Sequence, residues 1–317
     1  MEWWHVVLIV VGALLIGGLI SSIIFTMPIA RKLHEKQWTR KNDEAFKRAC
    51  SDATVDYHLD MFNQGMKFRE DNLNKIKNLE IISLDTKLYA EYYDFGFNKV
   101  VIVLPGRTET AFYGAYYAET FIKAGYNVLC VDPRAHGLSG GKYLKLGFDE
   151  AIDTINWAKK LHDEFSIEHI CLYGLCGGAT AACLTLTRSD CPKYIDSFIN
   201  DGMFYSFFRV YRRHIVDEKK PVVPVIFEVM HLIKKYNKVN PYKAKPYTLI
   251  KKVNVPTLFL GGELDKFSLN SETIAMCQRS PAKIKQVKIF KNARHSHLKY
   301  DSFDMYEDTV ISFLQSI

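Results

Sequence analysis

The sequence predicts an α/β domain, a mainly parallel β-sheet covered by helices on both faces. Three observations predict it. Short, wholly apolar runs recur along the body of the chain and end in Gly, Pro, Asp or Asn. Stretches with helical patterning lie between them. The 317 residues, 48% of them apolar and 24% charged, are enough for one large domain and an appendage. A strand buried on both faces reads as a continuous apolar run, and strands alternating with helices build a parallel sheet.

Residues 6–25 are apolar except for glycines and Ser21 and Ser22, close to the roughly 20 residues a helix needs to cross a bilayer. Trp3 and Trp4 precede this run, where interfacial aromatics belong. Glu2 stands before it, and Arg31, Lys32, Lys36, Arg40 and Lys41 follow it. That bias places the body on the cytoplasmic side of a cell membrane, crossed once. A cleaved signal peptide is the alternative, but it calls for positive charge in front and a small-residue cleavage site behind, and neither is clear. The expected layout is an anchor over residues 1–30, a polar juxtamembrane helical connector over 31–75 that includes a helical stretch at 52–68, and the domain proper over 76–317.

Within that domain, residues 79–84 and 88–93 read as an opening β-hairpin. Further strands are expected at 100–104, 127–131, 169–173, 197–199, 257–260 and 286–290, with helices at 111–124, 148–164 and 179–188. Residues 203–252 are far longer than an ordinary connection. This aromatic segment, with Lys219, Lys220, Lys234, Lys235, Lys238, Lys243 and Lys245, reads as a helical cap over the strand ends. Its lysines make either a solvated basic face or a contact with membrane or anionic substrate. The seven cysteines are odd in number, irregularly spaced and without a C-x-x-C pair, so neither a zinc site nor a redox motif is expected, and the pattern suits a reducing compartment. The net charge of +7 is modest, and no Arg stripe with interleaved aromatics marks a nucleic-acid face.

The chemistry centres on Gly174-Leu175-Cys176-Gly177-Gly178, which directly follows an expected buried strand and precedes an expected helix. A G-x-nucleophile-x-G elbow has mechanical meaning in that setting, because its glycines allow a turn that a Cβ would obstruct. A thiol at a helix N-terminus is favoured as its anion. The alternative is a buried structural cysteine in a glycine-rich turn. Leu104-Pro105-Gly106-Arg107 ends an earlier strand, Asp132-Pro133-Arg134-Ala135-His136-Gly137-Leu138-Ser139 follows the next, Gly262-Glu263-Leu264-Asp265 ends a late strand, and Ala293-Arg294-His295-Ser296 follows the last. The order nucleophile, acid, histidine is thus present.

On these motifs the chain from about residue 79 onward resembles the α/β-hydrolase superfamily, and within it the small bacterial hydrolases with one N-terminal membrane helix. The resemblance implies the α/β-hydrolase fold, a mainly parallel eight-stranded sheet with a helical cap. It implies Cys176 as nucleophile in place of the usual serine, His295 as base, Asp265 as the acid that orients it, and the backbone N–H groups of Arg107 and Gly177 as the oxyanion hole. His297 competes with His295, and Asp201 competes with Asp265. His295 fits the small-residue-x-His pattern after the last strand, and Asp265 fits G-x-x-D. His136 is expected to be scaffold. Pro105 stands where the family commonly has the His of its His-Gly oxyanion motif.

The implied activity is cleavage of a carboxylic ester or thioester in a small acyl substrate, through a Cys-His-Asp triad and an acyl-enzyme. An acyltransferase using the same cysteine and a non-catalytic binding relative are the alternatives. The dienelactone hydrolases, bile-acid acyltransferases and polyhydroxyalkanoate synthases of this superfamily also carry a cysteine at the elbow. No organic cofactor or metal is implied, and oligomeric state is unreadable.

Overall fold

The structure, a computed structural model, describes residues 2–40 and 48–317. Lys41 of the basic flank, and residues 41–47 of the connector, lie outside the described residues. Eight strands, β1 (Ile76–Ser83), β2 (Thr86–Tyr93), β3 (Lys99–Leu104), β4 (Asn127–Val131), β5 (His169–Leu175), β6 (Ile195–Asp201), β7 (Thr257–Gly262) and β8 (Lys285–Phe290), form one sheet in the order β1-β2-β4-β3-β5-β6-β7-β8. β1–β2 and β2–β4 pair antiparallel, and every other pairing is parallel. The first strand stops one residue before the expected 84, because Leu84 and Asp85 form the hairpin turn at φ 47° and 58°. Positive φ at both central residues is what a two-residue hairpin turn matched to strand twist requires.

β3 shows why continuous apolar runs belong at the centre. Val100, Ile102 and Leu104 face one core with Trp157, Leu161 and Phe259, while Val101 and Val103 face a second core with Phe121, Tyr173 and Phe313. The pleat turns successive side chains to opposite faces, so a strand covered on both sides needs apolar residues at every position. The first face is covered by α4 (Phe148–Phe165), α5 (Gly177–Leu186) and α9 (Asn270–Arg279), and the second by α3 (Ala111–Lys123) and α10 (Phe303–Gln315).

The N-terminal helix α1 (Trp3–Trp38) runs through residue 30 without interruption. Among the described residues it alone is long and apolar enough to cross a bilayer. Leu8, Leu14, Leu15 and Phe25 lie exposed on it, whereas Ala30, Leu33 and Trp38 are buried. Those last turns pack into a third core with the insertion after β6, which folds as α6 (Phe207–Asp217), α7 (Val225–Leu232) and short turns that include α8 (Pro246–Leu249). Thr26 donates to Glu228 across 2.8 Å, His34 meets Asn237 at 2.7 Å, and the Asn237 amide donates to the carbonyls of Trp38 and Leu144.

The connector from residue 48 onward is also bound to the body. Helix α2 (Asp56–Asp71) lies on α3, where Gly65 permits so close an approach that an added Cβ would stand 2.9 Å from the Tyr116 nitrogen. Arg48 and Arg69 both reach the buried carboxylate of Glu91. A buried carboxylate needs such partners, since its unpaired burial is costly.

Candidate active site

The elbow lies between β5 and α5. Cys176 adopts φ 51° and ψ −107° and stands at the N-cap of α5, its own N–H donating to the Asp201 carbonyl at 2.8 Å. The framing glycines are required by space. A Cβ on Gly174 would lie 2.3 Å from the Ala179 Cα, and one on Gly178 would lie 1.9 Å from the Leu104 oxygen. Gly178 therefore lets the loop after β3 press against the elbow, which brings Arg107 to the side of Cys176. Neither the Gly177 nor the Arg107 N–H donates a hydrogen bond among the described residues. The first amides of a helix have no intrahelical acceptor, so Gly177 offers a free donor there.

On the other side, the Asp265 carboxylate and the His295 Nδ1 are 2.6 Å apart. The Cys176 side chain is the other neighbour that acts on the His295 ring. Burial by itself would depress the basicity of His295, but the neighbouring sulfur and carboxylate outweigh it and hold its pKa well above the usual histidine range. Asp265 is itself held in place by the N–H groups of Phe267 (2.7 Å) and Ser268 (2.8 Å). The three side chains come from the ends of β5, β7 and β8, thirty residues separating even the acid from the histidine.

The competing residues stand elsewhere. His297 turns toward α2, with Nδ1 2.5 Å from the His295 carbonyl oxygen and Nε2 3.3 Å from His58. Burial pushes its pKa down to about 4, so it is neutral at physiological pH. Asp201 accepts from the hydroxyls of Tyr173 (2.9 Å) and Tyr306 (3.4 Å), and burial pushes its pKa up to about 7. His136 is buried with its ring between the carbonyls of Arg134 and Arg107. The rest of that turn is equally engaged: Asp132 accepts from the amides of Ala111 and Leu138, and Arg134 forks onto Asp153.

A cavity of about 110 Å³ opens from Cys176. Its walls are mainly apolar, with Leu104, Leu146, Trp157 and Phe207 among them. The cap contributes Tyr211 and His214, and the end of α1 contributes Trp38. Burial pushes the His214 pKa down to about 3, helped by the charges of Arg107 and His295, and the ring stacks on Phe267 at 4.1 Å. Sequence reasoning missed Glu109, which is buried beside His295, accepts from the Gly106 N–H at 2.8 Å and is pushed up to about 7 by burial. Its signal was the carboxylate three residues after Gly106 in a tight turn. Trp38, Tyr211 and His214 carried no local signal. Among the described residues no group of three or more His, Cys, Asp or Glu side chains is arranged to hold a metal ion.

No family model matches the sequence. The uncharacterised protein YqkD of Bacillus subtilis is 26% identical over 221 residues, 68% of this chain and 71% of its own. Among solved structures, the esterase Pf2001 of Pyrococcus furiosus superposes with a TM-score of 0.64 at 25% identity, over 78% of this chain and 95% of that one. An esterase from Exiguobacterium antarcticum superposes with a TM-score of 0.58 at 16% identity, over 75% of this chain and 100% of that one. This chain has the α/β-hydrolase fold. In the α/β-hydrolase arrangement the strand ends that meet at one edge of the sheet are where Cys176, Asp265 and His295 are found here, with the cap above them.

Proposed function

We propose that the protein is a hydrolase of carboxylic esters or thioesters, anchored by α1 and acting through Cys176, His295 and Asp265. The observation that carries this reading is the strained turn at Cys176 facing a histidine whose other nitrogen is bound 2.6 Å from a carboxylate. A non-glycine residue at positive φ costs energy and persists where the surrounding structure enforces it. The solved α/β hydrolases named above include esterases, which supports the reaction class.

With its proton held by His295, the sulfur attacks the acyl carbonyl carbon. The carbonyl oxygen takes the negative charge and is met by the N–H groups of Gly177 and Arg107. Collapse breaks the bond to the leaving oxygen or sulfur, which takes the proton from His295. The acyl group is left as a thioester on Cys176. Neutral His295 then removes a proton from water, the hydroxide adds to the thioester carbon, and the acid leaves as the thiolate is restored. Asp265 keeps the imidazole oriented and stabilises its charged form. The anchoring reading is supported by the exposed apolar run of α1, and the Thr26–Glu228 bond sets the cap against the helix one residue beyond that run.

Intact-mass measurement after exposure to p-nitrophenyl esters of several chain lengths tests the reading. The wild type should carry an acyl adduct that Cys176→Ala lacks, and Cys176→Ala should lose at least about 1,000-fold in turnover, in keeping with the loss of an attacking group. Turnover by Cys176→Ala equal to wild type would refute it.

A further inference from the structure

The cavity beside Cys176 contains hydrogen-bond donors without acceptors. Arg107 is half-buried there, its guanidinium 5.5 Å from the centre of the Trp38 ring. Among the described residues it makes one hydrogen bond, at the outer limit of 3.5 Å, to the carbonyl of Gln37. No carboxylate pairs with it among the described residues. Cys176, Tyr211 and Glu218 are the groups whose charge acts on it, in that order, and Glu218 is bound by Lys36 at 3.2 Å and Gln37 at 3.0 Å. The acids in the cavity wall are likewise taken: Asp132 by Arg48, Asp153 by Arg134, and Glu150 by the amides of Lys145 and Gly147.

Two more donors belong to side chains that line the same space. Tyr211 is 1% exposed and Trp38 is 7% exposed, yet neither the Tyr211 hydroxyl nor the Trp38 indole nitrogen makes a hydrogen bond of good geometry among the described residues. The indole N–H lies beside the phenol oxygen, which leaves the phenol proton still in want of an acceptor. Buried polar groups are nearly always satisfied, and each that is not calls for an explanation. Arginine and tryptophan side chains can only donate. Burying an unpaired cation is expensive, and in a water-poor apolar cavity an incoming anion is held far more strongly than at a surface.

We infer that Arg107, Tyr211 and Trp38 form a subsite for an anionic oxygen group of the substrate, a carboxylate or a phosphate, carried on the part of the molecule that lies under the cap. The planar guanidinium fork matches either group with two parallel hydrogen bonds. The inference rests on the hydrolase reading for its placement on a substrate, but the anion site itself stands on the unpaired donors. It divides the work within one residue. The Arg107 amide serves the reacting carbonyl, and its side chain selects what that carbonyl is attached to. The apolar walls leave room for a short methylene chain between the two.

Two measurements test it, both on the full-length chain in detergent micelles at fixed ionic strength. In the first, the ester of p-nitrophenol with one carboxyl of glutaric acid is compared with p-nitrophenyl valerate, which has the same chain length and no charge. The wild type should prefer the glutarate ester at least about tenfold in kcat/KM, as expected for one well-placed charged hydrogen bond. Arg107→Met and Tyr211→Phe should each shrink that ratio, the first to near unity. A wild-type preference for valerate, or an Arg107→Met variant that slows both esters equally, would overturn the inference and leave Arg107 as a counter-ion of the thiolate.

The second measurement needs no catalysis. The unfolding temperature of Cys176→Ala is followed with glutarate, inorganic phosphate or glutaramide. A rise with glutarate identifies a carboxylate arm, and a rise with phosphate alone identifies a phosphoryl group. Either rise should vanish on adding Arg107→Met. No rise with either anion, or the same rise with neutral glutaramide, overturns the subsite. A protein that turns over no ester but is stabilised by an anion keeps the subsite and loses the hydrolase reading.

Discussion

Cys176 and His295 are held by different means. The backbone of Cys176 is bent to positive φ by its neighbours, while His295 is positioned by the carboxylate of Asp265. Glu109 is a further titratable group of this neighbourhood, and its raised pKa is a statement about stability. Folding lifts it from 4.5 to about 7, chiefly through burial. Between those pH values the unfolded chain loses this proton while the folded chain keeps it. Stability from this group is therefore complete below pH 4.5 and is lost as pH rises to about 7. Glu109→Gln keeps an acceptor for the Gly106 N–H and removes the titration. We expect its unfolding temperature to match the wild type near pH 4.5 and exceed it at pH 8, by up to about 3 kcal/mol in stability at one pKa unit per 1.36 kcal/mol. Equal pH dependence in the two proteins would show that Glu109 ionises as freely in the fold as outside it.

At the scale of elements, the glycines of the elbow make opposite predictions. Gly178→Ala drives a Cβ to within 1.9 Å of the Leu104 oxygen, so β3 and α5 must separate and the two oxyanion donors with them. We expect about 1–3 kcal/mol of lost stability and about 100-fold lower kcat, the effect of displacing a reacting group by an ångström. Gly177→Ala meets nothing within 4 Å and keeps its N–H. Its stability should be unchanged or raised by about 0.4–1 kcal/mol, because the unfolded chain loses freedom. Circular dichroism melts and p-nitrophenyl ester assays on the pair check both. The strands themselves were legible because each apolar run is also a spatial unit. The runs at 100–104 and 127–131 correspond to β3 and β4 almost residue for residue. α1 runs on past residue 30, and its buried inner stripe of Ala30, Leu33 and Trp38 was not legible, since polarity of the outer helix face says nothing about it.

For the molecule as a whole, α1 is at once the apolar appendage and part of the cap. Removing residues 1–25 should free the protein from membranes and leave ester turnover intact, because the buried stripe begins at Ala30. Removing residues 1–40 should unfold the cap, and Trp38→Ala alone should cost about 3–5 kcal/mol, the usual loss for a buried Trp. Carbonate extraction and thermal melts of the three forms check this. Continued membrane attachment of the form lacking residues 1–25 would mean that α1 is not the anchor.

The α/β class, the eight strands in chain order, three of the helices that cover them, and the positions of Cys176, Asp265 and His295 at strand ends were readable in the sequence, because local apolar runs and glycine turns leave a local signature. The pairing of His295 with Asp265 rather than Asp201, the turning of His297 toward α2, and the meeting of Trp38, Arg107 and Tyr211 were decided by tertiary structure. Those contacts join residues from separate elements, and hydrogen bonds and buried charge depend on distances that spacing along the chain does not encode.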